Sequence, residues 1–385
     1  MHFSYGMVGG GQGAMIGKAH RTSIALNGDC RLAAGAFSSS AEKNMASGKE
    51  LGVDVDRIYA SYAEMAQKEA ARKDGIDFVV IVTPNHLHFS VAKAFLEQGI
   101  HVVCDKPLTI SSAEGFELKR LANEHHCLFM VTYTYTGHAM AREARRVVKS
   151  GAIGKVTMVM AEYATNWLLD AAEKKGNKQA VWRTDPKRTG ISNCVGDIGT
   201  HVENMVAFIT ELKIEKLIAN LDIIGEDREL DDNAQVLVKY DNGASGLYWI
   251  SQVAAGCENR LKVRVFGSAG SVEFDQEDPD HLRLTKKGEP PQVLSRGANY
   301  GAAKEISRLS AGQTEGYYVA FANLYAMFTK ALEHKKAGER VDERGVGYPT
   351  LDDGIRGVIF VEKCVESMRA GNVWAAVSEK RNLGG

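Results

Sequence analysis

The sequence predicts two domains in one chain. The first is an α/β Rossmann domain on a doubly wound parallel sheet; the second is an α+β domain with a large, mostly antiparallel, open-faced sheet. Three observations carry this reading. At 385 residues the chain is too long for one ordinary core. Its first third alternates short apolar runs with amphipathic stretches, whereas the rest strings strand-like runs together through tight turns. A glycine-rich turn follows directly on the first apolar run. The expected boundary lies between residues 132 and 133, giving domains 1–132 and 133–385.

In the first domain, apolar runs at 3–8, 32–37, 78–82, 101–104 and 127–131 read as buried strands. Helical patterns at 41–51, 62–72, 89–98 and 113–124 separate them, the grammar of βαβ units. After Tyr133 the pattern changes. A helix over 139–149 ends at Gly151, and strand-like runs follow at 156–163, 214–223, 234–240, 246–252, 261–266 and 271–275. Turn chemistry such as Asp241-Asn242-Gly243 joins them, which indicates an antiparallel sheet. Two late helices are expected at 317–333 and 352–370, with a long polar loop over 297–316.

Composition narrows the function classes. Hydrophobic residues make up 44% and charged residues 25%, an ordinary globular balance. A net charge of -1 argues against nucleic-acid binding, which needs a concentrated basic surface. The cluster Arg142, Arg145 and Arg146 reads as one solvated helix face. Six dispersed cysteines offer neither a disulfide framework nor zinc-ligand spacing, so no metal is expected. No apolar run approaches the ~20 residues that span a bilayer, and the start of the chain shows no signal-peptide pattern. A cytoplasmic protein with reduced thiols, free of nucleic-acid and membrane partners, is the expectation.

Four short segments carry chemistry. The first is Val8-Gly9-Gly10-Gly11-Gln12-Gly13-Ala14-Met15-Ile16-Gly17. Glycines there let the backbone turn tightly and approach a pyrophosphate, and the next helix presents N–H groups and the positive end of its dipole. Gly9-x-Gly11-x-x-Ala14 fits a dinucleotide fingerprint, and Gly17 implies a longer loop; the bland alternative is a structural turn. Gly9, Gly11, Gln12, Ala14, Met15 and Ile16 are the candidate contacts. The second segment is Thr83-Pro84-Asn85-His86-Leu87-His88, at a strand's carboxyl end where open sheets bind ligands. Asn85 or His88 can face the cofactor there, although such a segment taken alone is more often helix-start chemistry than a site. The third is Cys104-Asp105-Lys106-Pro107, whose lysine reads either as a surface residue or as a hydrogen-bond donor in the cleft. The fourth is Gly196-Asp197-Ile198-Gly199-Thr200-His201, followed by a helical pattern at 202–209. Asp197 and His201 are four apart and share a helical face. Histidine suits acceptance of a hydroxyl proton near neutral pH, and a carboxylate can fix its tautomer. A helix cap beside a buried histidine is the alternative.

Taken together, these segments resemble the Gfo/Idh/MocA oxidoreductase family, named for glucose–fructose oxidoreductase and inositol dehydrogenase. The resemblance spans the whole chain and includes residues 315–325 (EGYYVAFANLY) and 348–354 (YPTLDDG). Trp182-Arg183-Thr184-Asp185-Pro186 is similar to a branch whose members act on inositols, levoglucosan or the 3-position of glucosides. One departure is clear: many relatives carry an arginine where this chain has Tyr133-Thr134-Tyr135-Thr136-Gly137-His138.

The resemblance implies an NAD- or NADP-dependent dehydrogenase acting on a secondary alcohol of a polyol. Lys106, Asp197 and His201 become the catalytic set, with Thr83, Pro84, Asn85, His88, Asp105 and Lys106 lining the cofactor. Tyr135, Trp167, Trp182, Arg183, Asn193, Asp197 and His201 become substrate contacts, the two tryptophans reading equally as core. Family members that only sense ligands tend to lose the lysine or histidine, and redox-neutral glycosidases work through a 3-keto intermediate; both are the rival functions. Relatives pair as homodimers or homotetramers. The second strand ends in Ser38-Ser39-Ser40 where NAD-preferring folds carry an acid. With Lys43 five residues after Ser38, this predicts tolerance of NADP.

Overall fold

The computed structural model describes residues 3–298, 301–343 and 345–377. In chain order the elements begin β1 (Phe3–Gly9), α1 (Met15–Ala25), β2 (Cys30–Ala36), α2 (Ala41–Glu50), α3 (Tyr62–Ala71), β3 (Phe78–Val82), α4 (His88–Leu96), β4 (His101–Cys104), α5 (Ser112–Glu124) and β5 (Phe129–Val131). There follow α6 (Ala139–Lys149), β6 (Val156–Thr165), α7 (Lys178–Arg183), α8 (Pro186–Thr189), α9 (Thr200–Thr210), β7 (Ile214–Asp222), β8 (Asn233–Tyr240), β9 (Ser245–Ser251), β10 (Asn259–Gly267), β11 (Gly270–Asp275), β12 (His281–Lys286) and β13 (Gln292–Ser295). The chain closes with α10 (Gly301–Ile306), α11 (Tyr317–Lys336), α12 (Leu351–Arg369) and β14 (Ala375–Ala376). Two compact units result, Met1–Gly137 with Tyr317–Ile355, and His138–Gly316 with Arg356–Gly385.

The first unit is the expected Rossmann domain: five parallel strands in the order β2-β1-β3-β4-β5. Helices cover both faces of such a sheet, so its central strand is continuously apolar; all five residues of β3, Phe-Val-Val-Ile-Val, are buried. Ser40, Ser61 and Ser111 cap α2, α3 and α5, each hydroxyl accepting from a backbone N–H of the first turn. The chain passes from β1 to β2 on one side and returns to β3 on the other. The strand order therefore reverses between β1 and β3, where such sheets bind dinucleotides.

The domain boundary differs from the sequence expectation. Residues Tyr317–Ile355, expected in the second domain, pack in the first unit. On α11, Phe321, Leu324, Tyr325, Phe328 and Leu332 follow a helical spacing and join Phe3, Tyr5 and Phe78 in one core. Phe328 meets Phe78 edge-on at 5.4 Å. Removing such a buried ring costs about 3–5 kcal/mol.

The second unit holds nine strands in the order β13-β12-β11-β10-β6-β9-β8-β7-β14. Every pair is antiparallel except β6 with β9. Inward and outward residues alternate along β8 and β10, and α6 and α9 lie against the sheet. The outward positions Met158, Leu237 and Leu247 stay exposed. α10 falls in the stretch 297–316 expected to be a loop, and β12 and β13 fall where no element was expected. The Arg142–Arg145–Arg146 face is not simply solvated: Arg142 and Arg145 lie over the Phe208 ring at 5.4 and 4.8 Å, and Arg146 pairs with buried Glu143. No helix among the described residues is long and apolar enough to cross a membrane.

Candidate functional site

In the first unit, β1 delivers the chain into a turn made of glycines for steric reasons. Gly9 and Gly10 have φ of 81° and 71°, left-handed values that a β-carbon strains. Any β-carbon on Gly17 would lie 2.4 Å from the Gly10 Cα. Gly17 is therefore no loop extension; it sits inside α1 and lets that helix close onto the turn. A side chain on Gly11 would meet the Ser47 hydroxyl and the Phe37 carbonyl at 2.7 and 3.0 Å.

The start of α1 has no side-chain cap and no acid in its first turn, so its N–H groups and dipole are left for an anion. Met15, in that turn, is 77% exposed. Gln12 donates from its backbone N–H to Ser47 Oγ and from its amide to Glu50. At the end of β3 the Thr83 hydroxyl is buried with no hydrogen-bond partner, an acceptor and donor awaiting a ligand. Uncapped helix start, glycine turn and orphaned hydroxyl at the reversal of strand order fit a dinucleotide.

Two expected contacts in this unit do other work. His88 is 1% exposed, and its ring nitrogens face the carbonyl oxygens of Pro107 and Thr83 at 2.8 and 2.9 Å. Burial lowers its pKa against the opposing field of Asp105, so the neutral ring donates to one carbonyl at a time. It braces the Thr83 and Pro107 loops through both ring nitrogens. Tyr135 is 5% exposed, with its ring edge-on to Tyr317 at 6.4 Å beneath α11, so it belongs to the packing of this unit. Asn85 is buried in the short helical turn Asn85–Leu87, and Pro84 precedes it.

Asp105 and Lys106 follow β4. Asp105 Oδ1 accepts from Thr132 at 2.6 Å and lies 3.2 Å from His20 Nε2, while His20 Nδ1 meets the Tyr325 hydroxyl at 2.5 Å. Burial pushes the Asp105 carboxyl up, but His20, Thr132 and His88 together hold it below the usual range. The loop bearing Lys106 is thus pinned from α1, β5 and α11. Neither His20 nor Thr132 was legible as a partner, because their contacts span the chain.

In the second unit, residues Val195–Gly199 form a π-helical turn that runs directly into α9 and carries Asp197 and His201 on one continuous helix. Asp231 anchors the turn, accepting from the Ser192 hydroxyl and from the N–H groups of Asn193 and Val195, each at 3.0 Å. Arg183 Nε lies 3.3 Å from Asp197 Oδ1. Its guanidinium sits 4.2 Å from the Trp182 ring centre and 5.8 Å from that of Trp167. Gln179 Oε1 accepts from both Arg183 and Trp182, at 2.6 and 3.1 Å. His201 packs against the Tyr163 ring at 5.9 Å.

Asn193 departs from expectation. It is 0% exposed, and its amide donates to Gln252 Oε1 at 2.8 Å. Its amide nitrogen is thus committed to Gln252, while its Oδ1 is buried with no hydrogen-bond partner. Gln252, absent from the sequence reading, donates to Asp197 Oδ2 at 2.9 Å. A signal existed: Tyr248, Ile250 and Gln252 alternate inward, and a polar residue closing an apolar inward row calls for a partner. Among the described residues no group of three His, Cys, Asp or Glu is placed to hold a metal ion.

Comparison with known proteins gives consistent results. Residues 3–133 match the model described as oxidoreductase family, NAD-binding Rossmann fold, and 141–273 match the GFO/IDH/MocA C-terminal domain. An uncharacterised oxidoreductase from Bacillus subtilis, YfiI, is 37% identical over 96% of this chain and 95% of its own. The structure of an inositol dehydrogenase homolog from Azotobacter vinelandii with NADH and myo-inositol superimposes with a TM-score of 0.90 at 36% identity, covering 98% of both chains. A levoglucosan dehydrogenase from Pseudarthrobacter phenanthrenivorans is 26% identical over 79% of this chain and 80% of its own.

Proposed function

Because the chain belongs to the GFO/IDH/MocA oxidoreductase family and its Rossmann domain binds NAD, we propose that it is a dehydrogenase for a secondary alcohol of a sugar, inositol or glycoside. The observation that carries the reading is the cluster around Asp197. A carboxylate paired with a guanidinium, flanked by two tryptophan rings, suits a polyol: polar groups for hydroxyls, apolar faces for C–H surfaces. The Azotobacter homolog, crystallised with myo-inositol, supports the substrate class.

The nicotinamide, when bound, supplies hydride transfer at the carbinol carbon. His201 takes the hydroxyl proton as that carbon is oxidised. Lys106 donates a hydrogen bond to the same oxygen and stabilises its developing negative charge. Asp197 receives a neighbouring hydroxyl or orients His201, and Arg183 reads a further hydroxyl. The exposed sheet face bearing Met158, Leu237 and Leu247 is the pairing surface of a homodimer or homotetramer. The enzyme works in the cytoplasm.

The test is NAD(P)H formation with a panel of inositols, free aldoses and aryl glucosides against 2-propanol. Polyols should react and 2-propanol should not, because an apolar ligand leaves buried polar groups unpaired. Comparable rates with 2-propanol contradict the reading. Arg183→Ala should lower kcat/KM for the best polyol by about tenfold or more; an unchanged value removes Arg183 from the substrate site.

A further inference from the structure

Asp197 is held from two sides by side chains of the second unit. Arg183 Nε lies 3.3 Å from Oδ1, and the Gln252 amide donates to Oδ2 at 2.9 Å. Gln252 is itself 0% exposed at the end of β9. Its backbone is fixed at both ends, the N–H donating to the Asp232 carbonyl at 2.8 Å and the carbonyl accepting from Leu168 at 3.1 Å. Its Oε1 accepts from the Asn193 amide at 2.8 Å, and the Asn193 backbone N–H is bound to Asp231 at 3.0 Å.

The direction of these bonds follows from chemistry alone. An ionised carboxylate only accepts, so Gln252 must turn its NH2 toward Asp197. Its carbonyl oxygen then faces Asn193, which must answer with its own NH2. That leaves Asn193 Oδ1 pointing away, and this atom is buried with no hydrogen-bond partner. A buried acceptor left unmet costs free energy. The Asn193 amide thus keeps its orientation for the sake of the relay and not for its own hydrogen bonding.

We propose that Gln252 is the positioning residue for Asp197, its amide polarised by Asn193 so that a donor always faces the carboxylate. This rests on the reading of Asp197 as part of the substrate site. Neither Gln252 nor Asn193 touches the reacting atoms; they set where the Asp197 oxygens lie and which way their lone pairs point. Among the described residues of this unit, Arg183 faces Asp197, His201 lies one turn along the same helix, and Asp231 and Asp232 share with Asp197 the surroundings of Cys194. These two carboxylates and Asp197 together raise the Cys194 thiol pKa, after burial as the main cause.

Gln252→Glu and Asn193→Asp test the relay, because each changes one NH2 to an oxygen at constant size. While the new carboxyl is protonated its O–H replaces the lost donor and the relay persists. Once it ionises, two acceptors confront each other and the chain of donors breaks. The ratio of variant to wild-type kcat/KM for the reacting polyol should therefore fall by about tenfold or more as pH rises from roughly 6 to 9. NAD affinity should stay level over that range, while the variant's melting temperature falls with rising pH as the buried carboxyl is forced to ionise, so rates are read well below the melt at every pH. A flat ratio, or a loss that follows NAD affinity, overturns the proposal; either variant suffices if the other fails to fold.

Asp197→Asn separates the two claims. If it leaves kcat/KM intact, the reading of Asp197 fails and the relay's function with it. If it collapses activity while the ratio stays flat, only the relay fails. The same inversion is readable without substrate, from the side-chain amide resonances of 15N-glutamine-labelled protein. In Asn193→Asp the Gln252 signals should shift over the same pH range, and static signals contradict the relay.

Discussion

Ser38, two residues after β2, puts a hydroxyl at the position where NAD-preferring folds commonly place a carboxylate for the ribose hydroxyls. Its Oγ accepts from the Ser40 N–H at 3.2 Å, and Ser40 in turn caps α2. Ser39 and Lys43 are both exposed nearby. Ser38 itself places no carboxylate against a 2′-phosphate, and Lys43 supplies a cation within the first turns of the helix. Ser38→Asp should move the ratio of kcat/KM values toward NAD by roughly tenfold, about 1.4 kcal/mol. Equal ratios before and after substitution would mean that another residue reads the ribose. At this scale the sequence marked residue types well and their orientation poorly. Asp197, Arg183 and the two tryptophans form a cluster. His88 and Asn193, chemically plausible ligands, turn the two ring nitrogens to backbone carbonyls and the amide nitrogen to Gln252. Which way a polar side chain turns depends on partners far along the chain, and no local pattern encodes that.

At the scale of elements, the strand–turn–helix at the start of the chain was readable because glycine chemistry is local. The contact that requires Gly17 is between α1 and the turn before it, eight residues from the end of β1 by sequence. Gly17→Ala should push α1 off Gly10, weakening NAD binding by about tenfold or more and costing roughly 1–3 kcal/mol of stability. Calorimetric NAD titration and denaturant unfolding read both; wild-type values in each would contradict the packing role. The helix α11 shows the opposite case. Its periodicity predicted a helix correctly, but nothing in an amphipathic stripe says which core it joins. Its aromatic row completes the Rossmann unit, nearly two hundred residues after that unit's last strand. The edge strand β13 was missed for a related reason: its residues are exposed or half-buried, so they lack the alternation that betrays a half-buried strand.

For the molecule as a whole, acid stability follows from buried imidazoles. Burial lowers the pKa of His101 and of His138 from 6.5 to about 4. Geometry agrees at His101, whose Nδ1 accepts from the Leu128 N–H at 3.0 Å and must stay unprotonated to do so. The unfolded chain binds these protons first, so stability is full above pH 6.5 and declines as pH falls toward 4. Each ring contributes roughly 1–3 kcal/mol across that window. The urea midpoint should therefore drop between about pH 7 and pH 4, and His101→Gln should flatten part of the slope. A midpoint that holds constant over the window contradicts this assignment.

The central proposal is that Lys106 and His201 each act on a substrate alcohol in a dehydrogenase whose Rossmann unit binds NAD. Lys106→Met and His201→Ala should each lower kcat for the best polyol by on the order of a hundredfold or more, while NAD binding survives. The decisive measurement is initial NADH formation by the two purified variants beside the wild-type enzyme, with NAD binding measured on the same samples. A large loss of turnover with intact NAD binding is the predicted result. Near-normal turnover in both variants would contradict the account.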